Sequence, residues 1–247
     1  MATVQTKQVA TQYVELTVSD GTRMRAYTAR PETATPHAGL LVFQEAFGVN
    51  AHIRDVTERF ARQGFVAVAP EFFHRTAPGF EGDYNNFAVV MPHLQAMTPQ
   101  GQSADILAAF DWLRSQTALR EKPIASVGFC MGGTVSFLAN AVVPVKAAIS
   151  FYGGGIAPGS RGPGLLSRAG ELHAPALLFW GGLDKSIGPD QNRAVVDALR
   201  AAGKPFVNVE FSDADHGFFC DARPSYNPVA AAQSWALLLE FLKSHLH

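Results

Sequence analysis

The 247-residue sequence is poor in cysteine, in net charge and in long apolar runs, and each shortage excludes a class of protein. Two cysteines, Cys130 and Cys220, do not make a disulfide framework in a chain of this length. A formal net charge of −1 lacks the basic footprint of a nucleic-acid-binding or polybasic membrane-binding protein. No apolar run approaches a membrane span, and the polar residues 1–10 lack the apolar core of a secretory signal. We therefore expect a cytoplasmic protein that binds neither nucleic acid nor membrane.

The chain does have enough apolar residues, 47%, to bury a sizeable core, and we assign residues 1–247 to one domain. Two short strand patterns flank the turn signal Asp20-Gly21 and predict an N-terminal antiparallel hairpin. Buried strand patterns such as residues 39–44 then alternate with helical patterns such as residues 53–63. This alternation predicts an α/β fold, with a mostly parallel twisted sheet and helices on both faces.

The most informative stretch is Gly128-Phe129-Cys130-Met131-Gly132-Gly133. It lies between a strand pattern and a helical pattern, which is the context of the sharp turn that presents a nucleophile. At a helix N-terminus the thiolate of Cys130 is favoured over the thiol. The backbone N–H of Met131 would point toward the oxyanion formed when this thiolate attacks a carbonyl. The same stretch is also compatible with a Gly-rich turn that packs tightly around a small buried residue.

Four chemically capable residues each follow a predicted strand: Glu45, Cys130, Asp184 and His216. Catalytic groups collect at the carboxyl ends of parallel strands, so we expect these side chains to lie at one edge of the sheet. The order nucleophile, acid, histidine is that of an α/β-hydrolase. His216 can transfer a proton near neutral pH, and Asp184 can orient its ring. Each residue alone also fits an ordinary structural role, and Asp215 is a second candidate for orienting His216.

Together these motifs resemble the dienelactone hydrolase (carboxymethylenebutenolidase) family of the α/β-hydrolases. The resemblance extends from about residue 16 onward and rests on residues 44–50, the cysteine turn, Gly181-Gly182-Leu183-Asp184 and Asp215-His216-Gly217-Phe218. It implies the α/β-hydrolase fold and a Cys130–His216–Asp184 triad. It also implies an oxyanion hole formed by the backbone N–H groups of Met131 and Ala46.

The resemblance implies a further role for Glu45. In this family the matching glutamate contacts the resting thiol, and substrate binding displaces it and frees the thiolate. A carboxylate beside a thiol disfavours a second negative charge. Glu45 would therefore keep Cys130 neutral and less easily oxidised until substrate arrives.

The substrate pocket departs from the family pattern. Dienelactone hydrolases hold a substrate carboxylate with arginines, one of them soon after the catalytic histidine, whereas here the nearest arginine after His216 is Arg223. Residues 71–100 contain one arginine, Arg75. Our candidate substrate contacts are Tyr84, Tyr152, Phe218 and Arg75. The aromatic members predict a rather apolar pocket, although such residues equally often fill protein cores.

These inferences predict a hydrolase of small esters or lactones that acts through an acyl-thioester on Cys130, without a metal or other cofactor. Its partner would be a small-molecule substrate, and the protein would be a monomer or a weak homo-oligomer. Two alternatives on the same fold are a non-catalytic binding protein and a redox-sensing thiol protein. Residues 71–100 have no clear period, and we expect them to place short helices over the site.

Overall fold

The structure is a computed structural model that describes residues 8–32, 35–159 and 162–246, so residues 1–7 of the polar N-terminal stretch lie outside it. Its strands are β1 (Val9–Thr17), β2 (Arg23–Pro31), β3 (Ala38–Phe43), β4 (Phe65–Pro70), β5 (Ile124–Phe129), β6 (Ala148–Phe151), β7 (Ala176–Gly181) and β8 (Phe206–Phe211). Its helices are α1 (Ala51–Arg62), α2 (Met91–Ala96), α3 (Pro99–Ser115), α4 (Met131–Val142), α5 (Pro189–Ala201) and α6 (Pro228–His245).

One eight-stranded sheet runs through the described residues in the order β1-β2-β4-β3-β5-β6-β7-β8. β1 and β2 form the expected antiparallel hairpin, with Tyr13 opposite Tyr27, and β2 is also antiparallel to β4. The pairs from β4 across to β8 are all parallel. The predicted α/β architecture, a mostly parallel sheet with an antiparallel N-terminal pair, is therefore confirmed.

The strand sequences explain why helices cover both faces. Successive side chains of a strand point to opposite faces, and β3 is apolar at every position. Leu40 and Val42 pack on the face covered by α1 and α6, whereas Leu41 and Phe43 pack on the face covered by α3 and α4. Both faces of the sheet are thus buried. Polar functional groups can therefore gather only beyond the ends of the strands.

Local capping sets the helix boundaries. The side chain of Asn50 accepts a hydrogen bond from the Ile53 N–H and begins α1 at Ala51, two residues before the predicted helical pattern of residues 53–63. The side chain of Thr98 accepts a hydrogen bond from the Gly101 N–H and begins α3. The ladders of β6 with β5 and β7 begin at Ala148.

The least regular stretch, residues 71–100, carries the short helices expected there. A 3-10 helix spans Phe87–Val89, and α2 follows directly. In the part of the chain that the structure describes, no helix is both long and apolar enough to cross a bilayer.

Candidate active site

Cys130 occupies a sharp turn between β5 and α4. Its backbone has φ 56° and ψ −118°, which is unusual for a residue with a side chain and costs of order 1–3 kcal/mol. Its N–H donates to the Phe151 carbonyl at 3.0 Å, and its own carbonyl accepts from the Gly133 N–H at 3.0 Å. These bonds hold the strained turn and lift the thiol out of the sheet at the start of a helix.

Two glycines make this turn possible. A Cβ at Gly128 would collide with the carbonyl oxygen of Gly132, and a Cβ at Gly132 would collide with the carbonyl oxygen of Phe43. The strand and the helix therefore approach each other more closely than any side chain would allow.

His216 lies in the loop after β8 and joins the thiol to a carboxylate. Its Nε2 is 3.1 Å from Sγ of Cys130, and its Nδ1 is 2.6 Å from Oδ2 of Asp184. The neighbouring Asp215 is exposed and instead accepts from the backbone N–H of His216 at 2.6 Å. The Nδ1 atom of His216 is therefore hydrogen-bonded to Asp184 and not to Asp215.

Asp184 is held by the turn that follows β7. Its Oδ1 accepts from the backbone N–H of Ser186 at 2.8 Å, from the Ser186 hydroxyl at 2.7 Å and from the Ile187 N–H at 3.2 Å. One carboxylate oxygen is thus fixed by its own loop, and the other is left for His216. This is how a carboxylate orients an imidazole without moving itself.

The charges of Cys130, His216 and Asp184, which form a row of contacts, stabilise one another. Burial by itself would lower the pKa of His216, but the negative charge of the Cys130 thiolate and the hydrogen bond to Asp184 raise it to about 10. Burial by itself would raise the pKa of Asp184. The contacts with His216 and Ser186 outweigh this effect of burial, and the pKa of Asp184 lies below its usual value. The arrangement favours an imidazolium placed between two anions, a thiolate and a carboxylate.

Glu45 follows β3, and its side chain is fully buried beside this row. Its Oε1 accepts a hydrogen bond from Nη1 of Arg223 at 3.2 Å, whereas its Oε2 has no hydrogen-bond partner among the described residues. Burial alone would lower the pKa of Arg223, but the Glu45 carboxylate raises it. Sequence reasoning noted Arg223 as the nearest arginine after His216 but did not include it in the site; its place in the loop after the histidine was the available signal.

A cavity of about 700 Å³ opens at Cys130 and His216. Ala46 and Met131, the two residues expected to supply oxyanion-hole N–H groups, both line it. Its apolar wall is formed by Phe47, Phe87, Met91, Leu94, Met97 and Val135, and its polar side chains include Gln95, Gln102, Thr134, Ser186 and Arg223. The short helices of residues 71–100 contribute Phe87, Met91 and Leu94 and so form one wall of the site.

Arg75, predicted as a substrate contact, does not line this cavity. It makes two hydrogen bonds to the buried Asp105, each of 2.8 Å, and a third to Asp20. The guanidinium thus ties α3 to the loop after β4, outside the cavity that opens at Cys130. The arginine that does line the cavity is Arg223.

The three predicted aromatic contacts lie behind the cavity wall rather than on it. Tyr152 is fully buried and packs against the His216 ring, with the two ring centroids 5.1 Å apart. Phe218 is a core residue packed against Tyr152 and Phe151. The Tyr84 ring packs against Phe47 at an interplanar angle of 60°, and its hydroxyl accepts a hydrogen bond from Nδ2 of Asn50 at 2.8 Å. These aromatics support the site from the core, as the alternative interpretation allowed.

Comparison with known proteins agrees with this architecture. The sequence model of the dienelactone hydrolase family matches residues 24–246. A Synechocystis protein named "Putative carboxymethylenebutenolidase" is 35% identical over 231 residues, which cover 91% of this chain and 93% of the relative. An Escherichia coli K12 protein of the same name is 35% identical and covers 92% of this chain and 84% of its own length.

A solved structure shows the same fold. The crystal structure described as a "Putative Dienelactone Hydrolase" from Klebsiella pneumoniae superposes with a TM-score of 0.84 at 30% identity, covering 96% of this chain and 99% of that one. The chain therefore belongs to the dienelactone hydrolase family, a family of ester and lactone hydrolases with the α/β-hydrolase fold.

Proposed function

We propose that the protein hydrolyses small esters or lactones with a Cys130–His216–Asp184 triad and an acyl-thioester intermediate. The observation that carries this proposal is the unbroken row of contacts from Sγ through the imidazole to the carboxylate, at 3.1 and 2.6 Å. It lies at the mouth of a cavity large enough for a small ester. Family membership supports the same reaction class.

In the first half-reaction the Cys130 thiolate attacks the acyl carbon, and a C–S bond forms. The carbonyl electron pair moves to the oxygen, which the backbone N–H groups of Met131 and Ala46 would stabilise. When the tetrahedral intermediate collapses, the C–O bond to the alcohol breaks and the His216 imidazolium donates its proton to the leaving alkoxide. The products are a free alcohol, a neutral imidazole and an acylated Cys130.

In the second half-reaction the neutral His216 takes a proton from water as the water oxygen attacks the thioester carbon. Collapse breaks the C–S bond and releases the carboxylic acid, which returns the thiolate and the imidazolium to their starting states. Asp184 would keep the Nδ1 proton in place through both steps, so that Nε2 always faces the reaction.

The decisive experiment compares the wild-type protein with Cys130→Ala on 4-nitrophenyl acetate. We expect kcat/KM to fall at least about 1000-fold while the circular dichroism spectrum is unchanged. An activated acyl probe should label the peptide that contains Cys130, and His216→Ala should prevent this labelling. Full activity in Cys130→Ala would reject the proposal. Reversible oxidation of Cys130 without any esterase turnover would favour the redox-sensing alternative instead.

The cavity wall supports a preference for uncharged acyl groups. Most of the lining is apolar, and its arginine, Arg223, is already paired with Glu45. A substrate carboxylate would have to share that cation with a buried carboxylate, which disfavours binding. We expect 4-nitrophenyl butyrate to be hydrolysed with a kcat/KM about tenfold above that of mono-4-nitrophenyl succinate, a difference of about 1.4 kcal/mol. The reverse order would contradict this preference.

The single domain, the cytoplasmic location and the monomeric or weakly oligomeric state stay predictions. Size-exclusion chromatography with light scattering tests the last of these. The proposed triad lies within one chain and does not depend on the outcome.

A further inference from the structure

Behind the proposed triad, three buried side chains of metal-ligating type lie together: Glu45, His52 and Cys220. One carboxylate oxygen, one ring nitrogen and the sulfur all lie within 4.8 Å of one another. No other group of this kind occurs among the residues that the structure describes. Glu45 and Cys220 are 0% exposed and His52 is 7% exposed, so this is not a cluster on the solvated surface.

Two polar side-chain atoms of these residues are buried and without a hydrogen-bond partner among the described residues, Oε2 of Glu45 and Nε2 of His52. Leaving one such atom unpaired costs about 1–3 kcal/mol. The chain places two of them, one an anion and one a Lewis base, next to a thiol. Both unpaired atoms are therefore available to the same small cation.

We propose that Glu45, His52 and Cys220 form a binding site for a divalent transition-metal ion such as Zn²⁺. Three points no more than 4.8 Å apart fit inside a circle whose radius is 4.8 Å divided by √3, about 2.8 Å. Zinc–ligand distances are about 2.0–2.3 Å. Each ligand atom therefore has to move inward by at most about 0.5–0.8 Å, which a change of side-chain torsion supplies.

The donor set fits this class of ion. Thiolate sulfur, imidazole nitrogen and carboxylate oxygen together select zinc or cobalt rather than magnesium or calcium. On binding, the Cys220 thiol loses its proton to solvent, and the two negative charges of thiolate and carboxylate balance the dication. A water molecule would complete the tetrahedron.

The surroundings of His52 favour Nε2 as the ring nitrogen that binds the metal. Nδ1 of His52 lies 3.9 Å from Oδ1 of Asp221, on the side of the ring away from Nε2. The carboxylate is therefore next to Nδ1, too far for a hydrogen bond, and Nε2 has no hydrogen-bond partner among the described residues.

This site does not use the atoms proposed to react with substrate. Cys130 and His216 are not ligands. Oε1 of Glu45 contacts Arg223, and we assign Oε2, which has no hydrogen-bond partner among the described residues, to the metal. A bound ion would restrain the Glu45 carboxylate against Arg223. The ion therefore acts by positioning Glu45, and the hydrolytic steps proposed above proceed without it.

Cobalt is a suitable probe because a thiolate bound to Co²⁺ gives an intense charge-transfer absorption in the near ultraviolet. The full-length protein, treated with chelator and then dialysed, is titrated with Co²⁺ alone. We expect this absorption to saturate at one ion per chain, and Zn²⁺ to displace it. Absence of the band at every Co²⁺ concentration at which the protein stays folded would overturn the proposal.

Variants show which of the two thiols, Cys130 or Cys220, binds the Co²⁺ ion. Cys130→Ser should retain the band, and Cys220→Ser should lose it. A band that survives in Cys220→Ser would overturn the proposal, whether the metal then sits at Cys130 or elsewhere. His52→Gln should weaken Co²⁺ binding at least about tenfold, with His173→Gln, at an exposed histidine, as the matched control.

Circular dichroism of each variant shows whether it folds. If Cys220→Ser does not fold, His52→Gln decides the matter, because unchanged Co²⁺ affinity in that variant also overturns the proposal. The readout is absorption rather than turnover. The metal site and the proposed hydrolytic triad can therefore fail independently of each other.

Discussion

The Nδ1 atom of His216 lies 2.6 Å from Oδ2 of Asp184, a residue 32 positions earlier in the chain. The immediate neighbour Asp215 points its carboxylate at the backbone instead. The acid that orients the histidine is therefore supplied by an adjacent strand, β7, rather than by the histidine's own loop. Parallel strands bring these two loop ends together, which adjacency in sequence does not achieve.

Replacing Asp184 by Asn should impair catalysis far more than the same change at Asp215. The amide can no longer fix the productive tautomer or stabilise the imidazolium, so we expect kcat to fall at least about 100-fold. Asp215→Asn is the matched control and should stay within about threefold of wild type. Steady-state hydrolysis of 4-nitrophenyl acetate measures both. Equal losses in the two variants would assign the orienting role differently.

The protonation of His216 should depend on Cys130. Its pKa of about 10 arises because the thiolate charge and the Asp184 contact overcome the lowering effect of burial. The imidazolium that we propose to protonate the leaving group is therefore present below pH 10 and is lost as the pH rises through that value. We expect kcat/KM, corrected for the uncatalysed reaction, to fall on this alkaline limb.

An NMR titration of the His216 ring tests the cause directly. In Cys130→Ala the negative sulfur is removed, and the ring pKa should move down toward the ordinary value for histidine, about 6.5. A ring pKa that is the same in wild type and in Cys130→Ala would show that the thiolate is not responsible.

The nucleophile turn should not tolerate a methyl group at Gly132. A Cβ there meets the carbonyl oxygens of Phe43 and Gln44, so strand and helix would have to separate. We expect Gly132→Ala to lower the free energy of unfolding by about 3 kcal/mol, measured by urea denaturation. Gly170→Ala is the control, because a Cβ at Gly170 meets nothing within 4 Å. A Gly132→Ala variant as stable as the control would contradict the close approach.

The network that holds Arg75 away from the cavity should matter for stability. Asp105 is buried, accepts two hydrogen bonds from Arg75 and lies 3.1 Å from Nε2 of the buried His74. Asp105→Asn removes the charge that these partners share, and we expect a loss of about 3 kcal/mol in the free energy of unfolding. Asp111→Asn, on the exposed face of the same helix, should change it by less than about 0.5 kcal/mol. Similar melting curves for the two variants would be the contrary result.

Much of this protein could be predicted from local sequence. Apolar strand runs separated by helical patterns, with the Asn50 cap, predict the order of elements because each depends on residues close in the chain. The Gly-rich turn around Cys130 predicts its own geometry for the same reason. The grouping of Cys130, Asp184 and His216 could be predicted because each residue follows a strand of a parallel sheet. The carboxyl ends of such strands all lie on the same side of the sheet.

The tertiary structure alone decided which side chains surround that row. Arg75 and Arg223 are both arginines in loops, and only packing shows that the first binds Asp105 while the second binds Glu45 across 178 residues of chain. The same holds for the cluster of Glu45, His52 and Cys220. A sequence pattern describes the spacing of residue types along one helix or strand. These contacts instead depend on how loops that are distant in the chain pack over the carboxyl ends of the strands.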